Sequence, residues 1–515
     1  MKDWKSLGIV MHLAFVSLIV FGLFAPNLSA QMRQGAVENS NARARSVLEA
    51  AKKAHGVAGT LPGMEDISFK ISGWYYLRGQ SLSPDQVDSR PLTGDLTIDV
   101  AKDRLYWFAE TEFSGGLQLQ QVVIIKGDQG TLLQPLQKTI RPLPNPLVRE
   151  LLTFRVPQIL LARALECVNT LRWVGEAQFA GKKQDVISFA TTNGTLMTLY
   201  FDAATHLLTK TEMLGADPVF GSDAITENVI SGYQRVGDFL LPSGQVQKIA
   251  GGPSQEYVYS DFRLNAHPAD GRFEPPAGYV APPPPVQLGT QQLAKDIWLV
   301  EGLGGGAYAS LIVGFKDFAV VVEPTLNEAT SRTVMEKVRE LAPGKPIRYV
   351  IATHHHADHS GGARTYFAEG ITLVTTPGNR DYFHELAQAP FALFPDALQA
   401  KPRVPVLELI EDKKGRITDG NRVLELYDIG PTVQAKEFLV VWVPQERILF
   451  GGDIFRRNAD RSIAPANKTV QQVADAIERL GLPVERLVDV HSRVNTMEDL
   501  RISLELARTA GGKGK

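Results

Sequence analysis

Two kinds of hydrophobic patterning divide the chain. In the first half, short apolar runs separated by turn residues read as strands, among them Phe69–Leu77, Leu96–Val100, Gln118–Ile125, Asp185–Ala190 and Thr195–Phe201. The last is expected to pair with Leu207–Met213 as a hairpin across Asp202–His206. A helix over Asn41–His55, rich in Ala, Arg and Glu, opens this half, and a helical stretch around Leu147–Cys167 interrupts the strand series. In the second half strand and helix signals alternate. Ala319–Val322, Ile347–Ala352, Ile371–Thr375, Phe438–Val443, Ile448–Phe450 and Leu487–Val490 read as strands, and Asn327–Leu341 and Val470–Leu480 as helices with one polar face. Such mixed alternation indicates two sheets sandwiched between helices.

The halves meet at Pro275–Pro285, where six prolines make a stiff extended stretch that neither a helix nor a central strand accommodates. The expected organisation is a β-rich region over 31–274, a proline-rich linker over 275–287 and a second domain over 288–515. A length of 515 residues calls for two or three domains, and 44% apolar residues supply ample core. A formal net charge of −2 leaves no basic excess to neutralise phosphates, which argues against nucleic acid as partner. One cysteine, Cys167, excludes an intramolecular disulfide and a thiolate-rich metal site, and suits a small core hydrophobe. At the amino terminus, Lys2 and Lys5 precede an apolar run from Leu7 to about Ala25, and Asn27–Ala30 ends in small residues. Residues 1–30 are therefore expected to be a signal peptide directing the protein to the periplasm or the medium, with an uncleaved membrane anchor as the alternative.

The candidate chemistry lies in the second half. Four of the ten histidines fall within Thr353–His354–His355–His356–Ala357–Asp358–His359–Ser360–Gly361–Gly362, directly after the strand Ile347–Ala352. That spacing can place two imidazoles on one metal ion and a carboxylate with a third imidazole on a neighbouring one, a donor set that suits zinc. An expression tag has no reason to follow a strand deep in the chain or to be closed by paired glycines. His206, in the first half, sits in a hairpin turn and reads as solvated.

Residues 288 to about 505 resemble a metallo-β-lactamase-fold hydrolase. The resemblance lies in His354-x-His356-x-Asp358-His359 with its glycine pair, in Leu449–Phe450–Gly451–Gly452–Asp453, and in Val490–His491. It implies an αββα sandwich, one or two zinc ions per chain, His354 and His356 on the first ion, Asp358, His359 and His491 on the second, and Asp453 between them. Asp358 would also orient the attacking hydroxide, the catalytic role assigned to it, and His355 is expected to point away. The first half resembles the half-barrel domains of bacterial lipoprotein carriers in its opening helix, its antiparallel meander and the segment Gly232–Pro242, which implies an apolar or acylated partner. The fold class expected is thus α+β, a mostly antiparallel half-barrel with an N-terminal helix followed by the sandwich.

Two departures stand out. Gln434 occupies the place where the family has a further histidine ligand of the first metal, and Glu323–Pro324 follows the Ala319 strand where aspartate is usual. The first site is then filled weakly with Gln434 as ligand, left empty, or completed by another side chain such as His384. The apolar, proline-broken segment Phe383–Pro402 reads as a lid over a hydrophobic pocket or as a surface packed on the first half. Gly304–Gly306 reads as a turn, and Arg456–Arg457 as a solvated pair, with contact to an anionic substrate group as the alternative. The leading expectation is an exported zinc hydrolase using metal-bound hydroxide on an ester, amide, lactone or phosphoester of a small molecule. The rival is a non-catalytic or weakly active binding protein with a degenerate, structural metal site. The fold hosts many chemistries and does not choose among substrates.

Overall fold

The structure is a computed structural model that describes residues 35–57, 64–143, 148, 152–458 and 460–511. The expected signal segment 1–30 lies outside the described residues, and among these no helix is long and apolar enough to cross a membrane. The architecture is mixed α+β with large antiparallel sheets. By compactness the chain forms two units, one from the described residues of 1–64, 150–213 and 228–243, the other from 65–149, 214–227 and 244–515.

In the first unit, residues 35–54 are helical, and a second helix spans Pro157–Glu166. The strands Arg172–Phe179, Lys182–Ala190, Leu196–Asp202 and Leu208–Ala216 pair antiparallel in that order. Ala44 and Leu48 of the first helix and Leu160 and Leu161 of the second share a core with Ile187, Phe189, Leu199 and Phe201. The half-buried Cys167 packs against it. His55, just past the first helix, is fully buried. Its Nδ1 lies 2.7 Å from the Ala51 carbonyl and its Nε2 3.1 Å from the Tyr233 hydroxyl, which donates to the Leu208 carbonyl. Burial pushes the His55 imidazole down to about 4, so it is neutral in the folded protein.

The second unit opens with an antiparallel meander in which Asp66–Tyr76 pairs with both Ser89–Asp99 and Gly252–Leu264. The meander continues outward through Arg104–Glu112, Gln118–Lys126, Gln129–Gln134 and Thr139–Pro142. The proline-rich stretch does not hang free. Val280 bridges to Thr139, with its amide donating to the Lys138 carbonyl and its carbonyl accepting from Ile140.

Beyond it lie the two sheets expected from the alternating pattern. One holds, in spatial order, Gly289–Ala294, Ile297–Gly302, Tyr308–Gly314, Ala319–Val322, Ile347–Ile351, Thr372–Thr375 and Leu407–Leu409. The other holds Lys414–Thr418, Val423–Asp428, Leu439–Val443, Ile448–Gly451, Arg486–Asp489 and Arg493–Thr496. Ala319–Val322 and Leu439–Val443 are buried at every position, because each sheet is covered on both faces. Between the sheets, Leu311, Val313 and Val320 meet Leu424, Leu426 and Val441. Outside the first sheet packs the helix Glu328–Leu341, whose start is capped by Asn327 accepting from the Thr330 amide. Outside the second packs Lys468–Leu480, capped by Asn467 accepting from the Val470 amide.

Two parallel pairs position the site: Ala319–Val322 with Ile347–Ile351, and Ile448–Gly451 with Arg486–Asp489. Parallel neighbours release their loops at the same edge, so residues following all four strands collect in one crevice.

Candidate metal centre

Each of the four strands delivers a part of the site within a few residues of its end. Ala319–Val322 leads to Glu323, Ile347–Ile351 to the histidine stretch, Ile448–Gly451 to Asp453, and Arg486–Asp489 to His491. Loops on a rigid sheet can hold such groups closely. The turn before Asp453 demands glycine at 452, because a Cβ there would lie 2.7 Å from His359 Nδ1 and 3.0 Å from Thr353 Oγ1.

The six residues singled out from the sequence come together. His354, His356 and Asp453 form one group of donors, and Asp358, His359 and His491 a second, with the donor atoms of each group within 4.8 Å of one another. Asp453 joins them. Its Oδ2 lies 3.8 Å from His354 Nε2 and 3.3 Å from His359 Nε2, and its Oδ1 lies 3.5 Å from His491 Nε2. Asp358 Oδ2 is 3.5 Å from His359 Nε2 and 3.8 Å from His491 Nε2.

The other ring nitrogen of each histidine faces outward to an oxygen. His354 Nδ1 lies 3.0 Å from Thr353 Oγ1, His356 Nε2 3.1 Å from the Ser81 carbonyl, His359 Nδ1 3.6 Å from Glu323 Oε2, and His491 Nδ1 3.2 Å from the Ala307 carbonyl. For His354, His356 and His491 these outer acceptors favour the proton on the outer nitrogen and leave the inner lone pairs of His354 Nε2, His356 Nδ1 and His491 Nε2 for a cation, whereas His359 has Glu323 behind Nδ1 without a hydrogen bond. Buried polar atoms normally find partners, yet the inner nitrogens of His354 and His359 have none. Four inward imidazoles, two of them with orphaned inner nitrogens, together with two carboxylates fit a divalent ion that prefers nitrogen and oxygen ligands.

The electrostatics agree. Burial, reinforced by its neighbours His359 and His356, holds the His354 imidazole well below its ordinary value, and burial lowers His356 as well. His359 goes the other way. Burial alone would depress it, but the carboxylates of Asp358, Asp453 and Glu323 outweigh that and hold it well above. Asp453 and Asp358 are both held below the usual carboxylate range against burial, chiefly by His359. A proton on His359 thus balances a concentration of negative charge that a metal ion would balance better. Glu323 also approaches His354 and His359 as a third donor group. It is fully buried, its Oε1 accepts from Thr353 Oγ1, and it backs His359 from the outer side, so its place is that of a support behind the ligand.

Gln434 stands where the sequence located it. Its Nε2 donates to Asp453 Oδ2 at 2.6 Å and lies 3.3 Å from His356 Nδ1. His355 is buried with its ring edge toward Tyr382, outside the three donor groups, as is His384 in the helix Arg380–Gln388. Gly304 and Gly305 form a left-handed turn before the strand Tyr308–Gly314, and His206 is exposed in its hairpin turn.

One expectation changes and one alternative is decided. Arg457 is not a solvated side chain, since it pairs with Asp499 at 3.3 Å and donates to Asn495 Oδ1 at 2.8 Å. Of the two places expected for the segment 383–402, a lid or a surface packed on the first half, the contacts fit the second: it does not line the cavity at the centre. Arg364 donates to the carbonyls of Leu386, Ala387 and Ala389 and pairs with Asp396, and Asp223 accepts from the amides of Ala392 and Leu393. The cavity, of about 1400 Å³, is walled instead by Gln80, Phe113, Leu117, Pro282, Arg456 and others.

Sequence reasoning missed Asp489. Fully buried, it accepts from the amides of Ile454 at 2.7 Å and Phe455 at 3.2 Å through Oδ2, and from those of His491 and Ser492, both at 2.7 Å, through Oδ1. It ties the Asp453 loop to the His491 loop, and an acidic residue inside an otherwise apolar strand end was the available signal.

Comparison with known proteins follows the same residues. Residues 302–488 match the metallo-β-lactamase superfamily profile. A curated relative, the metallo-beta-lactamase type 2 of Bacillus cereus, is 25% identical over 214 residues, covering 40% of this chain and 74% of that protein. Solved structures of metallo-β-lactamases from Pontibacter korlensis and Hirschia baltica are 22% and 21% identical. Each covers 43% of this chain, and 99% and 97% of their own, with TM-scores of 0.33 and 0.31. Residues 302–488 of this chain form a metallo-β-lactamase superfamily domain, at that level a metallo-hydrolase, whose clustered histidines are candidate metal ligands.

Proposed function

We propose that the protein is a zinc-dependent hydrolase that cleaves an ester, amide, lactone or phosphoester bond of a small molecule. One observation carries the reading: four imidazoles present unpartnered or weakly partnered nitrogens to a shared carboxylate while each outer nitrogen faces an oxygen. His354, His356 and Asp453 would hold one ion, and Asp358, His359 and His491, with Asp453, the other. Zinc supplies Lewis acidity to the bond under attack and brings the pKa of a water molecule near neutrality.

The chain's own residues do the rest. Asp358, ionised beside His359, is placed to orient the attacking water and take its proton. The Tyr308 phenol, pushed up to about 12 by burial and then by Asp358, stays protonated at neutral pH and remains a donor beside that carboxylate. The cavity exceeds the roughly 300–1,000 Å³ of ordinary small-molecule sites, and Phe113, Leu117 and the prolines give it an apolar wall, which supports a bulky or acylated substrate. Residues 1–30 support export to the periplasm or the medium.

Metal analysis of the purified protein, followed by assay with generic esters and added zinc, tests the proposal. Bound zinc and ester hydrolysis are expected; neither bound zinc nor hydrolysis would leave the reading without support. A binding protein with a structural site would retain metal without turnover, a reading favoured only by the Gln434 contact to Asp453.

A further inference from the structure

The meander that precedes the sandwich in the same compact unit reaches into the metal centre through one loop. After the strand Asp66–Tyr76, residues 77–88 turn back toward Ser89–Asp99. The Gly79 carbonyl accepts from the Ala357 amide at 2.9 Å and the Leu82 carbonyl from the Lys436 amide at 2.7 Å, so the loop is bonded to the backbone on both sides of the site. Gly79 adopts φ +62, and a Cβ there would lie 2.9 Å from Val219 Cγ2 and 3.3 Å from Ala357 Cβ, which reserves this contact for glycine. Arg78 anchors the base through Asp217 at 2.7 Å.

From this seat the loop touches one candidate ligand of each metal group. The Ser81 carbonyl takes the outer nitrogen of His356. Gln80 Nε2 donates to Asp358 Oδ1 at 2.7 Å, and Gln80 Oε1 accepts from Ser114 Oγ at 3.2 Å. The carboxylate settles the amide's orientation, since it can only accept: the nitrogen must face Asp358, which leaves the oxygen to accept from the serine hydroxyl. One oxygen of Asp358 is thereby bound from outside, and the other, Oδ2, faces His359 and His491. A neutral amide does this without bringing a charge that would compete with a cation.

We infer that Gln80 is a positioning residue of the metal centre, holding the Asp358 carboxylate in the one rotation that presents Oδ2 to the ion and to the attacking water. The inference rests on the reading of Asp358 as a ligand. It assigns the amino-terminal meander a part in the chemistry through a side chain 278 residues away in sequence.

The test compares the full-length protein with Gln80→Met, which keeps length and loses the donor, and with Ser114→Ala, which removes only the hydroxyl that orients the amide. Zinc affinity is read by chelator competition, geometry by the absorption spectrum of the cobalt-substituted protein, turnover by kcat and KM separately, and folding by the Tm of the metal-free protein. Loss of such a support weakens metal binding about tenfold to a hundredfold. Gln80→Met is expected to show that loss at one site, an altered cobalt spectrum and a lower kcat with KM little changed, at unchanged metal-free Tm. Ser114→Ala should move the same way by about twofold to tenfold, the worth of one hydrogen bond. Variants matching wild type in zinc affinity, spectrum and kcat overturn the role of Gln80 and leave the hydrolase intact. A wild-type protein that binds no zinc overturns both.

Discussion

The Gln434 amide and the Asp453 carboxylate are bonded at 2.6 Å, and the oxygen that accepts this bond is the one facing His354 and His359. The amide therefore claims part of the carboxylate that both metal groups share, where an imidazole would instead offer a further ligand. Gln434→His should raise zinc content toward two ions per chain, because imidazole binds zinc better than an amide does. Metal content of the purified variant checks this, and an unchanged ratio would show that position 434 is not a ligand position.

Asp358 presents Oδ2 to His359 and His491, and in the mechanism proposed above it would also take the proton of the attacking water. Asp358→Ala should lower kcat for a generic ester by ~10²–10⁴-fold, the usual range for a positioned acid–base group. Retained turnover would move the proton-accepting role to another group.

Asp489 binds four backbone amides on the Asp453 and His491 loops. Burial raises its carboxyl, against the lowering effect of His491 and the amides that it accepts from. Asp489→Ala strands those amides in the interior and should cost about 2–3 kcal/mol of stability. Because both loops loosen together, zinc affinity should fall with it; urea unfolding and chelator competition measure the two effects on one sample.

In the first unit, His55 makes stability depend on pH. Its folded value of about 4 lies below the ordinary 6.5, so between these values the unfolded chain binds the extra proton. Its contribution is complete above pH 6.5 and lost progressively as pH falls toward 4, amounting to about 2 kcal/mol less at pH 5 than at pH 8. Urea midpoints across that range, compared between wild type and His55→Phe, isolate the effect as the difference in slope; parallel slopes would place the acid sensitivity elsewhere.

The strands were legible because burial on one or two faces writes itself into local pattern. Phe69–Leu77 became Asp66–Tyr76, Gln118–Ile125 became Gln118–Lys126, and the ends moved by a few residues because pairing extends strands past their apolar cores. The helical stretch expected over Leu147–Cys167 lies partly outside the described residues; within them 148, 152 and 153 are helical and a helix spans Pro157–Glu166, starting at a proline that suits the first turn. The cavity wall was not legible in the Phe383–Pro402 segment. Its apolar residues suit a lid or a surface packed on the first half equally well in one dimension, and the bonds to Arg364 and Asp223 decide for the second.

By itself the sequence determined the donor chemistry: His354, His356, Asp358 and His359 lie close enough along the chain for one loop to present them, and Asp453 and His491 each follow a strand that could bring them there. Gln434 also announced itself, by residue type against an expected position. Only the tertiary structure decided what surrounds those donors. Asp489 bonded to the Asp453 loop, Glu323 behind His359 and Gln80 on Asp358 are contacts between segments 35 to 278 residues apart. No local pattern encodes such contacts, because they exist only once the sheets have brought their loops to one edge.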